Sequence, residues 1–319
     1  MNNATLSAQE IFLIERYISV EYFGELRDIW GEMVEHLDRC LDRFVNNLPS
    51  DYRNYPLPQQ PDIVWGQKVL PNFRDTFDGL CAGYIGLSHG DFSSLGYANG
   101  PRSDFRGQMD SSSDWMDDAD ELRYRVLLNK ALTSARNIRT TDIAYWKPYD
   151  LTKFYSENDR GPLNLPANLP IYGVSKSVSI KSGDAFSQCG IYAPDLANSS
   201  AQFLNTEYGN APLATVFLKM EELFAPDTKL KYAEQPVFEK RPCTWWLVER
   251  RDAGIVNTLP TPNVVDVRRA QAGETCPETG YYFTPARTNS RAHFIKGSTM
   301  PGVENHYGAT IWQWDSRQD

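Results

Sequence analysis

The stretch GDAFSQCGIYAPDLANSSAQFL, residues 183–204, returns as GETCPETGYYFTPARTNSRAHFI, residues 273–295, an offset of about 90 positions that marks a repeated unit rather than a short solenoid turn. Gly183, Gly190, Tyr192, Pro194, Asn198, Ser199, Ala201 and Phe203 align with Gly273, Gly280, Tyr282, Pro285, Asn289, Ser290, Ala292 and Phe294, with one residue inserted before the second proline. Ala214-Thr215-Val216-Phe217 then matches Ala309-Thr310-Ile311-Trp312. Gly190 and Gly280 stand where a turn with positive φ would lead into an aromatic strand, and Pro194 and Pro285 where that strand would end. Each unit is expected to close on a strand, at 214–218 and 309–314.

Further strand-like runs lie between the copies, at 229–232, 236–240 and 244–249 around Trp245-Trp246. The pattern predicts two tandem, duplicated β-rich units of small open barrel-like form, about 171–225 and 226–319. Glycines, prolines and aromatics at such places also serve any small β-fold as turns and core, with no functional role.

The first half reads as helical. Ser7-x-x-Glu10 has capping-box spacing, followed by Ile11, Ile14 and Ile18 on one face. Leu26, Trp30, Met33, Leu37, Leu41, Phe44 and Leu48 form a second stripe, with His36 amid the charged residues opposite. Gly24 is expected to kink or separate these two helices, and Pro49 to end the second. Helices are also expected at 72–87, with Phe73, Phe77, Leu80 and Tyr84 inward, and at 113–136, capped by Ser113, with Leu122, Val126 and Leu132 inward. GPLNLPANLP, residues 161–170, marks the change of composition. The fold class is therefore α+β: an α-helical bundle over 1–165, then a β-rich domain over 166–319.

Composition bounds the function. A length of 319 residues with 41% hydrophobic content suffices for about two domains with buried cores. Net charge is −9 and the isoelectric point about 5.1, which argues against direct nucleic-acid binding and leaves a basic protein partner open. The start MNNATLSAQEIFLIERYISV lacks secretory-signal character, no run is suited to a bilayer, and the five cysteines show no close paired spacing. These features place the chain in a reducing cytoplasm.

Chemical motifs are sparse. Asp110, Ser112, Asp114, Asp118 and Glu121 match several calcium-loop spacings, but Trp115 stands where the loop's sharp turn needs glycine. No Cys-x-x-Cys or His-Glu-x-x-His spacing indicates zinc, no phosphate loop is present, and a pairing of Cys276 with His293 or His306 has no parallel in the first copy. No catalytic residue, metal ligand or cofactor site is therefore assigned. Asp114, Asp117, Asp118, Asp120 and Glu121 remain as a helix start complementing its dipole, or as a surface steering a cationic partner.

The C-terminal run Cys276-Pro277-x-Thr279-Gly280, Arg291-x-x-Phe294-x-x-Gly297, Met300-Pro301 and Gly308-x-Thr310-Ile311-Trp312-Gln313-Trp314 resembles the terminal signature of bacterial immunity proteins from polymorphic-toxin and type VI secretion systems. The resemblance covers about the last 45 residues, and more loosely the helical half; the first copy lacks Cys-Pro and Met-Pro. It implies an inhibitor rather than an enzyme, which binds one cognate toxin. For a cytoplasmic inhibitor, that toxin would be a nuclease or a nucleotide-consuming enzyme. The rival classes are an adaptor or ligand-binding module of a secretion or envelope system, and a hydrolase using His293, Glu304 and His306. Oligomeric state is left open, a homodimer included.

Overall fold

The computed structural model describes residues 6–48, 50–224, 231–251, 269–284, 287, 290–303 and 310–315. Pro49, Lys229, Pro285, Asn289, Glu304, His306, Gly308 and Ala309, which enter the expectations above, lie outside the described residues. Helices come first and open antiparallel sheets follow.

The helices are α1 (Ala8–Tyr17), α2 (Val20–Asn46), α3 (Pro61–Val64), α4 (Leu70–Ser88), α5 (Gly100–Gln108), α6 (Asp118–Asp142) and α7 (Glu157–Arg160). The Ser7 hydroxyl caps α1 by accepting from the Glu10 N–H, as its spacing predicts. Glu10 does not turn back to complete the box; its buried carboxylate accepts from Ala201 N–H at 3.2 Å. The break between α1 and α2 falls at Ser19, whose hydroxyl accepts from Tyr22 N–H, and not at Gly24. Gly24 lies inside α2, where a Cβ would come within 3.0 Å of the Tyr84 ring, so glycine lets α2 and α4 close together. Leu26, Trp30, Met33 and Leu37 are buried as expected, and the Trp30 indole donates to the Phe73 carbonyl on α4.

The phase of α6 differs from expectation. Its buried face is Tyr124, Leu127, Leu128, Ala131, Ala135 and Ile138, while Leu122 is 65% and Val126 45% exposed. The helix carries two apolar stripes, and small alanines mark the buried one.

The strands are β1 (Tyr172–Lys181), β2 (Gly190–Pro194), β3 (Gln202–Leu204), β4 (Ala214–Phe224), β5 (Lys231–Arg241), β6 (Thr244–Arg250), β7 (Arg269–Gln271), β8 (Gly280–Phe283), β9 (Ala292–Phe294) and β10 (Ile311–Trp314). Two four-stranded sheets form, ordered β1-β6-β2-β3 and β7-β10-β8-β9, and β4-β5 is a separate ribbon. Both are open antiparallel sheets, and neither closes into a barrel among the described residues.

The sheets share register as well as order. Gly190 faces Leu204 and Gly280 faces Phe294; Tyr192 faces Leu247 and Tyr282 faces Trp314; Ile180 faces Trp245 and Ala270 faces Trp312. Gly183 and Gly273, at φ +92° and +91°, donate to Ala211 and Met300 carbonyls, and the indoles of Trp245 and Trp312 donate at 2.8 Å to Pro212 and Pro301 carbonyls. The positive φ thus belongs to Gly183 and Gly273 rather than to Gly190 and Gly280, which open strands. Two alignments change. Phe203 corresponds to His293 with no insertion, and the counterpart of β10 is β6, not β4. Because β6 completes the first sheet, the expected division at 225/226 does not separate the two sheets.

The helical half and the first sheet share one core. Ile191, Ala193, Ala201, Phe203 and Val248 join the helix cluster, and the Phe92 and Phe203 rings meet at 5.1 Å. The opposite face of that sheet buries Tyr192, Leu204, Trp245 and Leu247. The second sheet has its own core of Ala270, Cys276, Tyr282, Met300 and Trp312, and reaches the helices where the Gln313 amide donates to the Ser88 hydroxyl.

Two outcomes are expected. Trp312, 3% exposed, should cost about 3–5 kcal/mol on Trp312→Ala, whereas Trp312→Phe should cost less; chemical denaturation reads both. Burial pushes the Glu10 carboxyl up to about 7, against the lowering effect of the Ala201 hydrogen bond. A folded value above the unfolded one means the contribution is present at low pH and lost as pH rises through about 7, a loss of up to roughly 3 kcal/mol. Glu10→Gln should therefore gain stability on the parent between about pH 5 and about pH 8, measured by denaturation across that range.

Candidate functional site

The expected acidic patch lies where α6 begins, and helix capping decides its geometry. Asp117, not Ser113, caps α6: it has extended backbone, and its side chain accepts from Asp120 N–H at 2.9 Å. Ser113 instead donates to Glu121 Oε1 at 2.6 Å. The five carboxylates therefore divide. Asp114, Asp117 and Asp118 are exposed, whereas Asp120 is held by Arg43 of α2 and Glu121 by Arg125 at 2.7 Å. Burial opposes the charge on Asp120, but the Arg43 hydrogen bond and charge outweigh it and hold this carboxyl below its ordinary range. Ser113 and then Arg125 hold Glu121 low in the same way. Leu122 and Val126 stand one helical turn apart beside these acids, exposed where the sequence pattern placed them in the core.

Beneath this surface is a cluster that sequence reading missed. His36 is 3% exposed and not part of the charged face. Its Nε2 lies 3.6 Å from Cys40 Sγ, 3.8 Å from Asp120 Oδ1 and 2.9 Å from the Asp120 carbonyl. Burial, with Asp120 nearby, pushes the Cys40 thiol up to about 11. His36-x-x-x-Cys40 was the available signal, since residues four apart share a helix face; Asp120 comes from a distant segment.

A concavity of about 490 Å³ opens between α4 and α5 and is lined by Asp75, Thr76, Tyr97, Asn99 and Asp104. Asp104 Oδ2 is buried there without a hydrogen-bond partner, and burial raises its carboxyl above the usual range.

The C-terminal signature residues serve the second sheet. Cys276, Met300 and Trp312 are core, Thr279 accepts from Lys296 N–H, and Arg291 pairs with Asp315 at 2.7 Å. His293 packs edge-on against Tyr281 at 5.0 Å, and His89 ends α4 beside Arg269. Among the described residues no helix is long and apolar enough to cross a membrane.

The division of the acidic patch is testable. Reversing Asp114 and Asp118 to lysine should leave folding stability within about 0.5 kcal/mol, because both are exposed and unpaired charges of this kind contribute little. Asp117→Ala removes the cap and should cost about 1 kcal/mol, read by urea denaturation. Comparison with family models, curated proteins and solved structures finds no match for this chain.

Proposed function

We propose that this chain is an immunity protein that binds a cognate antibacterial toxin of a type VI secretion or related polymorphic-toxin system and neutralises it stoichiometrically. The C-terminal resemblance supplies the class of partner. The observation that carries a binding role is the exposed face of α6, where Leu122 and Val126 adjoin the exposed Asp114, Asp117 and Asp118. Single exposed apolar residues are ordinary on a protein surface, but an apolar pair within a charged rim has the anatomy of a protein interface. Acids at the rim would steer a basic toxin surface, and the apolar pair would supply desolvated contact. A cytoplasmic inhibitor implies a toxin acting on nucleic acid or nucleotides. In this reading the two sheets are tandem copies of one duplicated unit, with the β4-β5 ribbon inserted into the first.

That ribbon favours a second reading, an adaptor. It completes neither sheet and exposes Leu218, Met220 and Phe224, as a docking arm would. The two readings place the contact differently. Reversing Asp114 and Asp118 should slow association with the toxin and flatten its salt dependence, and Leu122→Asp should weaken affinity about tenfold or more with folding unchanged. Stopped-flow association at low and high ionic strength checks the first, calorimetry the second. Parental kinetics and affinity in both variants would reject the α6 face. Turnover of a substrate by the isolated chain would overturn the inhibitor reading.

A further inference from the structure

We propose that His36, Cys40 and Asp120 bind one divalent transition-metal ion of the zinc class between α2 and the start of α6. Among the described residues, these three present ligand atoms within 4.8 Å of one another. A tetrahedral zinc ion, with bonds of about 2.0–2.1 Å to nitrogen and about 2.3 Å to sulfur, holds those two ligands roughly 3.6 Å apart. Cys40 Sγ lies 3.6 Å from His36 Nε2 and 4.0 Å from Nδ1, beside the imidazole, so the thiol turns toward the Nε2 lone pair on binding, and Asp120 Oδ1 lies 3.8 Å from Nε2. One imidazole, one thiolate and one carboxylate suit a borderline-soft cation, with solvent as the fourth ligand.

Arg43 reaches both acidic ligands, donating to Asp120 Oδ2 and, at 3.5 Å, to Cys40 Sγ, and metal binding would displace the second contact. The first contact leaves Oδ1 toward His36, and ligating carboxylates are commonly fixed by a hydrogen bond of this kind. Binding releases the Cys40 proton and takes the His36 tautomer protonated at Nδ1, so Nε2 exchanges its contact with the Asp120 carbonyl for the metal. Asp120 is partly exposed, which gives the ion a path from solvent.

The test uses the full chain, stripped with a chelator and dialysed. Titration with Co²⁺ should produce thiolate-to-cobalt and tetrahedral cobalt absorption saturating at one equivalent, and Zn²⁺ should bleach it while raising the melting temperature of the parent. Cys40→Ser should abolish the sulfur band and His36→Gln the saturable binding. Asp120→Asn should weaken affinity about tenfold or more, and Cys189→Ser, at a cysteine of the first sheet, should leave the titration unchanged. Absence of the cobalt bands in the parent, their persistence in Cys40→Ser, their loss in Cys189→Ser, or no thermal shift with Zn²⁺ would each overturn the site. The parental titration and thermal shift decide the matter even where a variant fails to fold.

Discussion

An edge strand buried against helices must find partners for polar groups that water can no longer reach, and at β3 the sheet and the helical half satisfy one another's polar groups through side chains of both. Glu10 accepts from Ala201 N–H, the Gln202 amide bridges the N–H and carbonyl of Trp146, and Asn205 donates to the Phe92 carbonyl and to Asp142. Asp142 is itself held by Arg139 and Tyr208, each at 2.6 Å. Each such group left unsatisfied would cost about 1–3 kcal/mol, so the helices have little freedom to slide across the sheet. The shared core of Phe92, Ile191, Ala193 and Phe203 forms within that alignment. Glu10 thereby serves the junction rather than the start of its own helix, at the cost of burying a carboxyl.

The two sheets show how one register accommodates different side chains. Phe186 of the first stands where the second has Cys276, Ala211 where it has Met300, and Leu247 where it has Trp314. A ring lost at one position is compensated by volume gained at others, which close-packed interiors require. The C-terminal signature is therefore legible as packing: its cysteine, methionine and tryptophan fill one small core. The α6 face, by contrast, sets exposed charge beside exposed apolar area.

At the start of α6 local chemistry and tertiary contact act on neighbouring residues in different ways. Asp117 caps the helix, Asp118 faces solvent, Asp120 anchors Arg43 and lies against His36, and Glu121 locks Ser113. The same run of acids thus supplies a cap, a clamp between α2 and α6, and exposed charge.

The sequence by itself determined the helical first half, the caps at Ser7 and the stripe of α2, because 3.6-residue periodicity and short-range hydrogen bonding are local. It also determined the recurrence of turn glycines and strand aromatics near 183–204 and 273–295, since backbone conformation and alternation are written residue by residue. Tertiary structure alone decided which of two apolar stripes on α6 is buried, because burial depends on what packs opposite and not on the helix's own pattern. It likewise decided that β6 rather than β4 is the counterpart of β10. Sequence similarity favoured the nearer strand, but pairing with β1 and β2 across the intervening β4-β5 ribbon is a long-range contact. His36, Cys40 and Asp120 became neighbours for the same reason: two share a helix face, and the third arrives only when α6 packs on α2.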